Sequence, residues 1–299
     1  MIKISNSTNE YWFVGGTSLN QYCWSINTYA AGRAVPVLRG NNIQVAYVPG
    51  QIHRQKYPDS RTLDFTMFVA AVDPTTDQPP TQAQKLMFSN NVKSLQRLFY
   101  NYSSSMAGNQ LPLTRQWYYS LPVNLGQPSG VPTMVQATAQ AEIAGDLQLT
   151  MNGPHAASLT VSLLLADPYF YGPSITGTAA VNSSASNVIN TGDDMAAYFN
   201  NTVTLYGPLQ YPKLLNSTTS PNTWLQLNTV ILAGDSVTFD IANFTAYRAS
   251  DGANLSGLLT HSGTTRWMSY YPGANSISLT SENSGDTGSA TLSFVPPYV

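Results

Sequence analysis

The sequence predicts a mainly β protein made of two sandwich-like or barrel-like domains, the first carrying one α-helix. Three observations predict it. Apolar and polar residues alternate with period two along most of the chain. Helical spacing occurs once, and clusters of glycine, proline, asparagine and aspartate divide the alternating runs.

The clearest strand is Arg61 to Val69, where Leu63, Phe65, Met67 and Val69 share one side and Thr62, Asp64 and Thr66 the other, with Phe68 breaking the polar side. Successive side chains of a strand point to opposite faces, so this pattern predicts a half-buried sheet. A helix follows. Pro79, Pro80 and Thr81 form a start signal, after which Ala83, Leu86, Met87, Leu95, Leu98, Phe99 and Tyr102 recur at helical spacing and predict a stripe that covers a sheet. Leu147, Leu149 and Met151 predict a further strand, as do Leu159, Val161, Leu163 and Leu165.

After Tyr171, Gly172 and Pro173, the stretch Ser174 to Asn187 is rich in small polar residues, and the strand pattern then begins afresh. The predicted domains are therefore 1–173 and 174–299, in keeping with two domains for 299 residues. In the second, Val203 with Leu205, Val237 with Phe239 and Ile241, Ile277 with Leu279, and Leu292 with Phe294 mark inward-facing positions. Turn signals stand at Gly15 with Gly16, Pro49 with Gly50, Gly126 to Gly130, Asn152 to Pro154, Asp251 to Asn254, and Pro272 with Gly273.

Only 9% of the residues are charged, against about 25% in an average soluble protein. With 42% hydrophobic residues and a formal charge of -2, the chain is not of the disordered class. Its neutral polar surface suits an extracellular β protein or a subunit covered by neighbours, because interface cores are depleted in charge. Thirteen basic against fifteen acidic residues supply no basic face for reading nucleic acid. The halves differ: residues 1–173 hold ten basic and eight acidic groups, and 174–299 hold three and seven, giving +2 and -4. No apolar run is long enough to span a bilayer as a helix, and the first ten residues lack the apolar segment of a secretory signal, so synthesis in a cytoplasm is expected.

The sequence offers little chemistry. Cys23 is the only cysteine and is expected to be a small buried hydrophobe. His53, His155 and His261 have no metal-ligand spacing, so no metal or cofactor is expected. His261 and Ser262 are neighbours on a strand and face opposite ways, with no nucleophile-elbow pattern nearby. Asp286, Thr287, Gly288 matches half of an aspartic-protease pair, but it occurs once and follows polar turn formers, so a hairpin turn explains it. Asp193, Asp194 and Asp235 lie in no recognisable ion-binding loop, and with Asp240 and Asp286 they are the acids in turns that a hydrolase would have to pair. The aromatics Trp224, Trp267, Tyr270 and Tyr271 are candidates for stacking on sugars, against the commoner alternative that they are core.

Three ordered motifs carry a resemblance. Arg39, Gly40, Asn41 and Asn42, then Val48, Pro49 and Gly50, then Tyr57, Asp59, Arg61, Leu63 and Phe65 resemble the N-terminal domain of siphophage distal tail proteins, the Dit family, most closely those of phages of actinobacteria. Asp167, Pro168 and Tyr169, within Leu165 to Tyr171, resemble the strand that closes that domain. Asn190 to Asp193 with Gly192, Val203 to Gly207, Tyr271, Pro272, Gly273 and Asn275, and the ending Phe294 to Tyr298 are similar to the family's C-terminal β-sandwich.

The resemblance implies a non-enzymatic virion component of the tail tip. Tail-tube-like N-terminal domains would form a homo-hexameric ring joining the tail tube protein to baseplate hub and fibre proteins. DNA would pass through its channel unread, and galectin-like or carbohydrate-module-like C-terminal domains would project outward. A ring of this kind is heterologous, so exposed strand edges and the region Asn42 to Gln55 are candidates for its interface. The alternative reading is a carbohydrate-binding module for host surface glycans, carried by Trp224, Trp267, Tyr270 and Tyr271.

Overall fold

The computed structural model describes residues 10–21, 23–30, 38–39, 57–72, 84–103, 110–119, 133–194, 196, 200–262 and 268–299. Gly40, Pro49, Gly50, the Asn42 to Gln55 region and Trp267 lie outside them. The chain divides into two compact units, one holding the described residues to Tyr119, Met134–Phe170 and Val299, the other Tyr171–Tyr298.

In the first unit the elements run β1 (Glu10–Val14), β2 (Thr17–Ser18), β3 (Trp24–Ala30), β4 (Leu38–Arg39), β5 (Tyr57–Pro58), β6 (Arg61–Ala70), α1 (Gln84–Ser103), β7 (Leu111–Tyr119), β8 (Thr133–Ile143), β9 (Gln148–Gly153) and β10 (Ala156–Leu165), and β11 is Phe170–Tyr171. The sheet order is β2-β1-β7-β8-β10-β6-β3, and β9 pairs with β10. β6 and β10 run antiparallel in unbroken register from Ala156 opposite Ala70 to Leu165 opposite Arg61. Their alternation puts Leu63, Phe65, Met67 and Val69 with Ala157, Leu159, Val161, Leu163 and Leu165 on one buried face. Burying such a side chain contributes about 1.5–3 kcal/mol, and a row of them fixes register, because a one-residue slip would turn the whole set to water.

The helix covers that core with a stripe that keeps Leu95 and Phe99 of the predicted one and takes in Phe88 and Val92 in place of Leu86. Phe88, Val92, Leu95 and Phe99 are buried, whereas Leu86 is 62% exposed. The difference has a polar cause. Asn91 lies on the buried stripe, and its amide donates to the Ala70 and Val72 carbonyls at 2.8 and 2.9 Å, fastening α1 to the end of β6. β9 forms as predicted, but its apolar side is not covered: Leu149 and Met151 are 38% and 56% exposed.

The second unit is a β-sandwich. Its strands are β12 (Ile175–Ala180), β13 (Ser186–Asn190), β14 (Thr202–Tyr206), β15 (Leu209–Gln210), β16 (Lys213–Asn216), β17 (Thr223–Leu227), β18 (Val230–Ile231), β19 (Ser236–Asp240), β20 (Thr245–Arg248), β21 (Leu259–His261), β22 (Gly273–Thr280), β23 (Ser289–Phe294) and β24 (Pro297–Tyr298). Two five-stranded sheets, β12-β23-β14-β19-β20 and β13-β22-β16-β17-β21, enclose one core. Val203, Leu205, Val237, Phe239 and Leu292 enter it from the first sheet, and Leu214, Leu225, Leu227, Ile277 and Leu279 from the second. The protein is thus mainly β, with α1 the single α-helix among the described residues.

Candidate functional site

The motif residues fall into two polar centres, one in each unit. In the first, Arg61 shares the inward face of β6 and is 8% exposed, with Cζ 5.3 Å from the ring centroid of Phe170. Burial, and then the charge of Arg115, lowers its pKa to about 10. Trp12 meets Phe65 and Phe170 edge to face at 5.1 and 5.6 Å. Arg115 forms a buried ion pair with Glu10, donates from Nη1 to the Val299 carbonyl at 3.0 Å, and holds its guanidinium 4.6 Å from the centroid of Trp117. Asp167 accepts from the Tyr169 amide at 3.3 Å beside buried Pro168, a turn stabilised by its own side chain. Arg39 lies in β4.

In the second unit, buried asparagines satisfy the backbone of segment 268–275. Asn190 donates to the carbonyls of Asp194 and Tyr270, both at 2.9 Å, and accepts from the Gly192 amide. Asn275 accepts from the Tyr271 amide and donates to the carbonyls of Tyr271 and Gly273 at 2.8 and 3.0 Å. Asn216 donates to Ser269 and to the Asn275 oxygen, and Asn201 to Met268. A Cβ on Gly192 would lie 2.4 Å from the Pro297 carbonyl oxygen, which also accepts from the Asp193 amide. Gly273, next to exposed Pro272, has φ of 91°, a conformation that favours glycine.

Three of the carboxylates raised by the sequence, Asp286, Asp235 and Asp240, close turns. Asp286 accepts from the Ser281 hydroxyl, from the Gln210 amide at 2.8 Å and from Asn283 at 3.1 Å. Asp235 accepts from the Ser236 amide and from the hydroxyl and amide of Ser250; the Ser250 hydroxyl chiefly holds its carboxyl below the usual range. Asp240 binds the amide and side chain of Asn243. Among the described residues no group of three His, Cys, Asp or Glu side chains gathers to hold a metal ion, and no helix is long and apolar enough to cross a membrane.

The three described aromatic candidates, Trp224, Tyr270 and Tyr271, do not all lie on the surface. Tyr270 is fully buried, stacked on Phe294 at 4.3 Å with 16° between the rings, and burial pushes its phenol pKa up. This corrects the sugar-stacking expectation for Tyr270: no ligand reaches a ring inside the core. Trp224 is half-buried, with the Lys213 ammonium 4.5 Å from its ring centroid. Tyr271 is half-buried, its hydroxyl 3.4 Å from the Ser220 carbonyl. The aromatics that stand out into solvent on a sheet of this unit are Tyr206 and Tyr247. Alternation carries the signal for the first, since Tyr206 follows inward Val203 and Leu205 in step.

No protein-family model matches the chain, and no curated protein sequence matches it. Among solved structures, the crystal structure of SPP1 Dit, described as a paradigm of hub adsorption apparatus in Gram-positive infecting phages, aligns at a TM-score of 0.58 and 14% identity, covering 97% of this chain and 99% of that one. The chain has the Dit fold. Two structures of the phage p2 baseplate in its activated conformation, with Sr and with Ca, cover 94% and 96% of the chain at 7% identity, with TM-scores of 0.36 and 0.34. The fold rests on the SPP1 protein, whose alignment includes both units of the Dit-fold chain.

Proposed function

We propose that the chain is a non-enzymatic hub of a siphophage tail tip, a distal tail protein resident in the virion. The carrying observation is the fold match over nearly the whole length of both this chain and SPP1 Dit. In this reading residues 1–173 form the ring-forming, tail-tube-like domain of a homo-hexamer. Residues 174–299 form a galectin-like outer domain that docks baseplate hub and fibre proteins. The ring continues the tail tube, and DNA traverses it without being read. Two features support the reading. Arg61, Asp167 and Gly192 have described contacts with neighbouring residues of their own unit, as structural positions would, and a surface so poor in charge suits a subunit covered by neighbours.

Negative-stain imaging of the purified chain, with its mass in solution, tests this directly. Six-fold rings, formed alone or on addition of the cognate tail tube protein, are the expected result. A monomer that stays monomeric at high concentration with that partner present would overturn it.

A further inference from the structure

Beyond the tail-tip role, and independently of it, the geometry points to a binding platform for a neutral polysaccharide on the outward face of the β12-β23-β14-β19-β20 sheet. Thr178, Thr291, Thr204, Thr238 and Tyr247 are successive register partners across all five strands, one unbroken row facing away from the core. Thr204 and Thr238 join hydroxyls at 3.0 Å. Tyr206 stands on the same side of β14, opposite Ser236. Tyr206 and Tyr247 are 43% and 46% exposed.

One strand and two residues separate the tyrosines, which places their Cα atoms about 12 Å apart at ordinary strand spacing and rise. A linear glycan lying across β19 thus meets a ring at each end and a hydroxyl row between. Aromatic faces take the apolar C–H faces of sugars, and serine and threonine hydroxyls both donate and accept, as sugar hydroxyls require.

Charge decides among occupants. Among the described residues, the outward positions of this sheet hold one ionised group, Asp240, whose oxygens are engaged by Asn243, and no cation for phosphates. The half of the chain from 174 onward holds three basic and seven acidic groups and so repels anionic glycopolymers. Protein hot spots draw on tryptophan, tyrosine and arginine; the outward positions of this sheet hold the two tyrosines but no tryptophan or arginine among the described residues, and are otherwise mostly threonine and serine, which hot spots under-represent. A neutral saccharide is the class that fits. The rival location is Trp224 on the other sheet, where Lys213 already covers the ring.

The test is calorimetry on the full-length chain with neutral glucan, galactan and N-acetylglucosamine hexasaccharides, and poly(glycerol phosphate) as the anionic probe. At least one neutral hexasaccharide should bind and the anionic polymer should not. Tyr206→Ala and Tyr247→Ala should each weaken binding roughly tenfold, the double variant should abolish it, and Trp224→Ala should leave it unchanged. Both tyrosines are exposed, so a far-ultraviolet spectrum suffices to show that the variants fold. The inference is overturned if no neutral hexasaccharide binds, if only the anionic polymer binds, or if binding survives the double variant and is lost in Trp224→Ala. Ring assembly, imaged on the same samples, reports separately on the tail-tip reading.

Discussion

The two units bury polar chemistry in different currencies. The first encloses charge: Glu10, Arg61 and Arg115 are each at most 8% exposed and lie among Trp12, Trp117 and Phe170. The second buries no charged side chain among the described residues, and instead buries Asn190, Asn201, Asn216 and Asn275 completely. The partners differ as well. Glu10 and Arg115 answer each other, and of their described bonds only the Arg115 donation to the Val299 carbonyl goes to main chain, so most of the pair can be deleted as a pair. The asparagines mostly answer backbone, and backbone cannot be deleted. A buried amide against main chain is therefore the less replaceable device, although each of its bonds is weaker than an ion pair in isolation.

The largest expected effect is on the charged side. Arg115→Met leaves Glu10 buried without the guanidinium it pairs with and should cost about 3–5 kcal/mol, read from urea unfolding followed by tryptophan fluorescence. Adding Glu10→Leu should recover most of that loss. If the double variant is no better than the single, the contrast between the units fails.

Asn275→Ala comes next, at about 3 kcal/mol, because it orphans the Tyr271 amide, two carbonyls and the Asn216 amide at once, each buried unpaired group costing about 1–3 kcal/mol before relaxation. No second substitution should rescue it. Gly192→Ala drives a methyl into the Pro297 carbonyl and should cost roughly 1–3 kcal/mol; a smaller loss would mean that the 297 strand yields. The smallest effect concerns acid. Because Asp235 is held below its ordinary pKa by Ser250, the unfolded chain takes up its proton first, so the stabilisation is present above about pH 4 and is lost as pH falls further. Asp235→Asn should flatten the acid side of the stability profile, and an unchanged profile would remove Asp235 from the account.

Much of this was legible in the sequence. Alternation located β6 and β10 and their inward residues, and turn chemistry explained Asp286. Helical spacing finds Leu95 and Phe99 on the buried side of α1 but not Asn91, a polar residue that is buried because its amide bonds main-chain carbonyls there. For Tyr270 the sequence leaves sugar stacking and core open, and the structure takes the core alternative, with asparagines folding its polar, turn-rich stretch inward. Composition registers abundant asparagine without distinguishing a surface amide from one that supports a buried loop. Period two, likewise, identifies the two sides of a strand but not whether anything covers either side.

β9 makes that last point physical. It is tied to β10 by hydrogen bonds from Gln148 to Gly153, yet five of its six residues are exposed. Detaching it uncovers little apolar surface, so the opening free energy is a few backbone bonds and not a core. Its amides should exchange with solvent deuterium well before those of Val161 and Leu163 on the strand that carries it. The protein has, in effect, a hem that can be unpicked while the cloth stays whole.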